Sequence, residues 1–276
     1  KGLACQKKGN FTEAIVYFKQ AESIKIALND IFGLGEIYLC WGVLYSHLNE
    51  YYLALEYYTK ALNLFKQTDH YRNTADCLNN IGIVNWKQKK FNQAIDYFKQ
   101  AEKIFLEHDD DIGVIKVYSN FGCVYMEMNN YEQSMEYLTK ARDLEQKTGN
   151  LKGLAIITGN IAQLNLNTNN IKKALDGFNR TLDLIKDDKD DYFRSYILIS
   201  LAQLYLQQNN LQQALVYLNK SYCLCKELGS NESMERIYFL YSEYYVKVKD
   251  YHQAYDHLLK AYEQREIVYQ KSLSKQ

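Results

Sequence analysis

The chain contains no proline at all in 276 residues. Proline removes a backbone donor and breaks helix interiors, so nothing here interrupts long helices, and no proline-rich linker divides the chain. Long apolar runs are missing too: none approaches the roughly 18 residues that a membrane-spanning helix needs. The opening KGLACQKKGN has no apolar stretch of the kind a signal peptide carries. Charge of one sign is likewise absent, with 33 basic residues against 33 acidic ones. Without a basic block, binding driven by phosphate charge is disfavoured, and no nucleic acid is expected as partner.

Catalytic and metal signatures are equally scarce. The five histidines, His47, His70, His108, His252 and His257, form no HExxH motif, and no phosphate-cradling glycine loop occurs. The acidic stretches His108–Asp111 and Asp187–Asp191 read as loops that cap the next helix rather than as metal sites. Six cysteines (Cys5, Cys40, Cys77, Cys123, Cys223 and Cys225) show no C-x2-C spacing. They read as buried free thiols in a reducing compartment, which places the chain in the cytoplasm. The expectation is no enzyme, no cofactor, no metal and no membrane.

What is present is a repeat. Small residues recur every 40 positions as Ala14, Ala54, Ala94, Ser134, Ala174, Ala214 and Ala254. A second series runs Ala21, Ala61, Ala101, Ala141, Thr181, Ser221, Ala261, and a third Gly2, Gly42, Gly82, Gly122, Ala162, Ala202, Ser242. Three registers without a slip define a repeat protein. Each unit carries two amphipathic helical patterns, for example about Leu34–Leu48 and Tyr51–Gln67. Tight turns such as Asn49-Glu50, Lys89-Lys90, Asn129-Asn130 and Asn209-Asn210 end first helices, because asparagine tolerates the left-handed conformation there. The 26 tyrosines, Tyr51, Tyr57, Tyr58, Tyr97, Tyr131, Tyr137, Tyr217 and Tyr251 among them, fall at helical spacing and read as core with hydroxyls at the solvent edge.

The unit resembles the tetratricopeptide repeat: Tyr38-x2-Trp41-Gly42-x2-Tyr45, then Ala54-x3-Tyr58 and Ala61, echoed by Leu78-x2-Ile81-Gly82 with Ala94-x3-Phe98. A period of 40 instead of the common 34, and no closing proline, resemble the longer-repeat branch of kinesin light chains and bacterial peptide-sensing regulators. The resemblance implies an all-α fold, a right-handed α-solenoid of antiparallel helix pairs with about six and a half repeats. A single solenoid over 1–276 divides as 1–30 (partial), 31–70, 71–110, 111–150, 151–190, 191–230 and 231–276, the last with an extended C-terminal helix. Lys1 aligns with Trp41, so the sequence is expected to open inside a helix. Leu259, Tyr262, Tyr269 and Leu273 give that last helix a weak heptad-like stripe, read as a lead into a downstream effector domain or as a polar cap.

In such solenoids the first helices line a concave groove, and the resemblance implies an asparagine ladder gripping an extended peptide. Asn80, Asn120 and Asn160 stand 40 apart, each two residues before the small-residue mark. A carboxamide offers both donor and acceptor to a peptide backbone. The expected peptide-binding residues are these three with Asn79, Lys116, Trp86, Met126, Gln163, Ser200, Gln203 and Arg236. Lys116 and Asn120 match two positions of the carboxylate clamp of chaperone-binding members, where Asn79 and Ile83 depart from it. The series Glu36, Asp76, Lys116, Ile156, Tyr196, Arg236 runs from acidic to basic and would orient a peptide. The function expected is a scaffold holding a protein or peptide segment. The alternative is the sensor region of a larger kinase, cyclase or DNA-binding regulator, and self-association stays open as a further partner mode.

Overall fold

A computed structural model describes residues 1–7, 10–188 and 190–273, without the side chains of 6, 7, 232 and 271–273. Among the described residues there are fourteen helices and no strand. The chain groups into two compact units, Lys1–Ala141 and Arg142–Gln276.

The first unit holds α1 (Gly2–Lys7), α2 (Phe11–Ala27), α3 (Ile31–His47), α4 (Tyr51–Gln67), α5 (Tyr71–Lys87), α6 (Phe91–Glu107), α7 (Asp111–Glu127) and the start of α8 (Tyr131–Thr148). The second holds the end of α8, α9 (Leu151–Asn167), α10 (Ile171–Leu184), α11 (Asp191–Gln207), α12 (Leu211–Leu228), α13 (Asn231–Lys247) and α14 (Tyr251–Leu273). Consecutive helices pack as pairs, and alternate ones are neighbours: α3, α5 and α7 in the first unit, α9, α11 and α13 in the second.

The local rule is finer than the 40-residue period. A residue with positive φ stands every 20 positions: Asn29, Asn49, Asp69, Lys89, Asp109, Asn129, Gly149, Asn169, then Asn209, Gly229 and Lys249. Position 189, next in that series, lies outside the described residues. Each left-handed residue stops one helix and turns the chain into the next. After it comes a capping residue, and the side chains of Asp30, Asp110, Asn150, Asp190 and Ser230 accept from the N–H three residues on. Capping explains why α3 begins at Ile31, three residues earlier than the apolar pattern suggests.

The small-residue registers are the packing contacts. Ala14, Ala54, Ala94, Ala174 and Ala214 are fully or nearly fully buried, as is Ser134, whose hydroxyl donates to the Gly122 carbonyl at 2.7 Å. A Cβ at Gly82 would come within 2.5 Å of the Phe98 ring, so glycine there sets how closely α5 and α6 approach. Trp41, Phe65, Phe98, Phe105, Phe121 and Phe178 fill the space between helices.

Two expectations need correction. Not all tyrosines are core: Tyr58 is buried and Tyr51, Tyr57, Tyr97, Tyr131, Tyr137 and Tyr217 are half-buried, whereas Tyr251, at the start of α14, is 67% exposed. Nor are all thiols buried: Cys77 and Cys225 are, Cys5, Cys40 and Cys123 are half-buried, and Cys223 is exposed. Cys223 and Cys225, two residues apart on α12, face about 200° away from each other. The side chain of Leu273, expected in the C-terminal stripe, lies outside the described residues, while Leu259, Tyr262 and Tyr269 are exposed.

Candidate functional site

In the first unit, α5 and α7 run side by side and carry Asn80 and Asn120 at matching positions, both half-buried. Among the described residues no hydrogen-bond partner reaches the Asn80 carboxamide. Asn120 is partly engaged: its Nδ2 donates to Asn79 Oδ1 at 2.8 Å, which leaves its carbonyl oxygen outside that bond. Asn79 is only 6% exposed, so it supports Asn120 from behind rather than facing a ligand. The same carboxamide chemistry expected to grip a peptide thus also ties one repeat to the next.

Two residue pairs shape the rest of this face. Lys116 Nζ lies 3.4 Å from Asp76 Oδ1, so the acidic-to-basic series is locally neutralised rather than presented as bare charge. Trp86 and Met126 are half-buried at the ends of α5 and α7, one turn and a half beyond the asparagines. They place apolar side chains on the same two helices as the asparagines. At the other end of these helices, Arg72 makes a two-pronged bond to Asp110 at 2.7 and 2.8 Å, and the Tyr71 and His108 rings stack at 3.9 Å. The Arg72 guanidinium holds the buried Asp110 carboxyl below the usual carboxylate range. Asp110 also caps α7, so this acidic loop does structural work.

In the second unit, α9 carries Asn160 and Gln163, both half-buried. Gln163 bridges: its oxygen accepts from Ser200 Oγ at 3.0 Å, and its Nε2 donates to Asn167 at 3.0 Å. Ser200 is fully buried and its hydroxyl also lies 3.0 Å from the Tyr196 carbonyl, so it is a link between α9 and α11 with no open face. Gln203 is half-buried on α11. Arg236 is exposed on α13, its guanidinium 5.6 Å from the Tyr196 ring centre. Sequence reasoning identified the polar positions but not the pairings Asn79–Asn120 and Gln163–Ser200, whose spacings of 41 and 37 fall beside the 40-residue register.

Among the described residues no group of three or more histidine, cysteine or acidic side chains could hold a metal ion. No described helix is long and apolar enough to cross a membrane.

Comparison with protein families matches tetratricopeptide repeats over residues 33–107, and again over 1–25 and 115–148. Comparison with curated protein sequences gives no match. Solved structures are similar along nearly the whole chain. The apo form of RapI superposes with a TM-score of 0.78 at 15% identity, covering 100% of this chain and 97% of that one. Aspartyl phosphate phosphatase F from Bacillus subtilis gives 0.77 at 19% identity, covering 96% and 68%. The Rap conjugation gene regulator of plasmid pLS20, in complex with the Phr* peptide, gives 0.71 at 20% identity, covering 98% and 73%. At these identities the likeness establishes the fold.

Proposed function

We propose that this tetratricopeptide-repeat chain is a non-enzymatic binding scaffold whose first helices hold an extended peptide segment. The observation that carries the reading is the pair of matched, half-buried carboxamides of Asn80 and Asn120 on adjacent first helices, one without a described partner and one braced from behind by Asn79. Bracing fixes the carboxamide's orientation before a ligand arrives, which lowers the ordering cost of binding. Asn160 extends the same register in the second unit. A repeat relative solved with a bound peptide, the pLS20 regulator, supports the same use of the fold. It is equally compatible with the sensor version, in which peptide occupancy is read out by a regulator.

Magnitudes limit what the asparagines do alone. Three rungs at a net ~0.5–1.5 kcal/mol per hydrogen bond contribute a few kcal/mol, and micromolar binding needs about 8. Trp86 and Met126 therefore supply apolar contact, and the exposed Arg236 and half-buried Gln203 add polar contact in the second unit. Six cysteines free of disulfides suit a reducing compartment such as the cytoplasm.

The test is a peptide-library screen of the wild type and an Asn80/Asn120/Asn160→Ala variant, with circular dichroism to monitor folding. Selection of peptides by the wild type and their loss in a folded variant supports the ladder. Equal binding by both chains sinks it, and loss of fold in the variant would show the asparagines to be structural.

A further inference from the structure

In most helix pairs an aromatic ring from the second helix lies against a large residue of the first. Trp41 and Tyr57 have ring centres 5.6 Å apart, Phe121 and Tyr137 4.6 Å, and Tyr241 and His257 4.9 Å. Tyr205 and Tyr217 fill the same place at 5.4 Å. Forty residues after Phe121 and Tyr137 stand Ile161 and Gly177, with Thr158 where Tyr118 was. The ring is gone, and a cavity of about 200 Å³ opens between α8, α9 and α10, floored by Thr158, Ile161, Ala162 and Gly177. It lies wholly inside the second unit.

The charge pattern changes with the shape. In the first unit Glu102 precedes this position, and the Lys140 ammonium sits 5.1 Å from the Tyr137 ring centre while bonding Glu136 at 2.6 Å. In the cavity's repeat the residue matching Glu102 is Arg142, and the one matching Lys140 is Arg180. Lys173 joins them on the lining, against one carboxylate, Asp176. Asp176 replaces Glu136 with a side chain one methylene shorter, and among the described residues neither Arg180 nor Lys173 has an ion pair. Arg142 donates to Asp143 at 2.9 and 3.1 Å, on a rim where it stays 36% exposed. Loss of a ring and gain of positive charge at one point are two separate changes, and both suit the same kind of occupant.

We propose that this cavity binds a small aryl anion: a single ring in the space the tyrosine leaves, and its carboxylate among Arg142, Arg180 and Lys173. The volume is below the roughly 300–1,000 Å³ of drug-sized pockets, and an engineered apolar cavity of about 150 Å³ in another protein accepts benzene. Guanidinium groups pair with carboxylate in a planar fork. The site is separate from the peptide reading, because at about 100° per residue Thr158 and Ile161 lie on the opposite side of α9 from Asn160 and Gln163. Failure of either proposal leaves the other standing.

Filling the cavity tests it. A Cβ on Gly177 would sit 2.7 Å from the Ala162 Cβ, so Gly177→Tyr alone strains the α9–α10 contact. The double variant Ala162→Gly/Gly177→Tyr restores the small-and-large pairing of Gly122 and Tyr137 and is the filled form to use. The isotope-labelled full chain is titrated with phenylacetate, phenylacetamide and inorganic phosphate, with the amide resonances of Thr158 and Gly177 followed by NMR. Phenylacetate should shift them saturably in the wild type, the other two probes at least ten-fold more weakly. The filled variant should lose the response, and Arg142→Glu should weaken it at least ten-fold. No saturable shift in the wild type overturns the proposal, as does an equal response from phosphate or from a folded filled variant. Should the filled variant unfold, Arg142→Glu decides: unchanged binding there overturns the site.

Discussion

Asn120 reaches from α7 to α5 and donates to Asn79 Oδ1 at 2.8 Å, joining neighbouring repeats through two carboxamides. Asn79 is nearly fully buried and Asn120 half-buried, so one end of the bond belongs to the core and the other to the surface. Replacing Asn120 with alanine leaves a buried carbonyl oxygen without this donor, which costs about 1–3 kcal/mol. Urea unfolding should show that loss. A stability equal to wild type would mean that the bond contributes nothing net.

The Arg72–Asp110 clasp predicts acid sensitivity. The hydrogen bonds from Arg72 hold the Asp110 carboxyl below its ordinary 3.8. A depressed carboxyl stabilises the fold above its unfolded value, and the gain disappears as pH falls through the lower folded value. Arg72→Met should cost about 1.5–3 kcal/mol at neutral pH and reduce the drop in stability below pH 4. An acid limb unchanged in the variant would assign the sensitivity to other groups.

His257 acts in the same direction at a higher pH. It stacks on Tyr241 at 4.9 Å and Tyr245 at 5.2 Å, and its Nδ1 is buried with no partner among the described residues. Burial, with Lys260 nearby, holds the imidazole below its ordinary 6.5, against a weaker pull from Asp256. The neutral ring is the folded form, so stability falls as pH drops through 6.5, where the unfolded chain takes up the proton. His47, also lowered chiefly by burial, adds to the same limb. His257→Tyr matches Tyr217 and should flatten melting temperature between pH 7 and 5. The idea fails if both proteins lose stability in parallel.

Gly82→Ala should destabilise by about 1–3 kcal/mol through overpacking. The added methyl would come within 2.5 Å of Phe98 and 3.2 Å of the Ala94 carbonyl. Guanidinium unfolding compared with Gly149→Ala separates packing from backbone strain, because a Cβ at Gly149 meets nothing within 4 Å yet sits at φ 71°.

Thiol labelling should be graded. Cys223 is exposed, whereas burial pushes the Cys77 and Cys123 thiols up to about 12 and Cys40 up to about 11. Mass spectrometry after brief iodoacetamide treatment should find Cys223 modified first. Faster modification of Cys77 would show that α5 opens readily.

The polar positions of the first helices were only half legible in the sequence. Asn79 and Asn80 are adjacent in sequence, but about 100° of helix rotation separates them, enough to bury one at 6% exposure and leave the other at the surface. Ser200 shares a register with Asn160 yet is sealed between helices, because its short side chain stays within reach of the Tyr196 carbonyl and Gln163. Register assigns a helix position; exposure depends on what the neighbouring helix brings to it.

The amino-acid sequence by itself determined the repeat, the helix lengths and the turns. These are local matters: small residues at fixed spacing, asparagine, aspartate, lysine or glycine where the chain turns left-handed, and capping side chains one residue later at Asp30 and Asp110. Tertiary structure alone decided which polar side chains meet, and where space is left over. The hollow beside Gly177 exists because Ala162 and Gly177 bring α9 and α10 together without the ring that other pairs insert. Side-chain volume can be read residue by residue, but a cavity is a property of three helices at once.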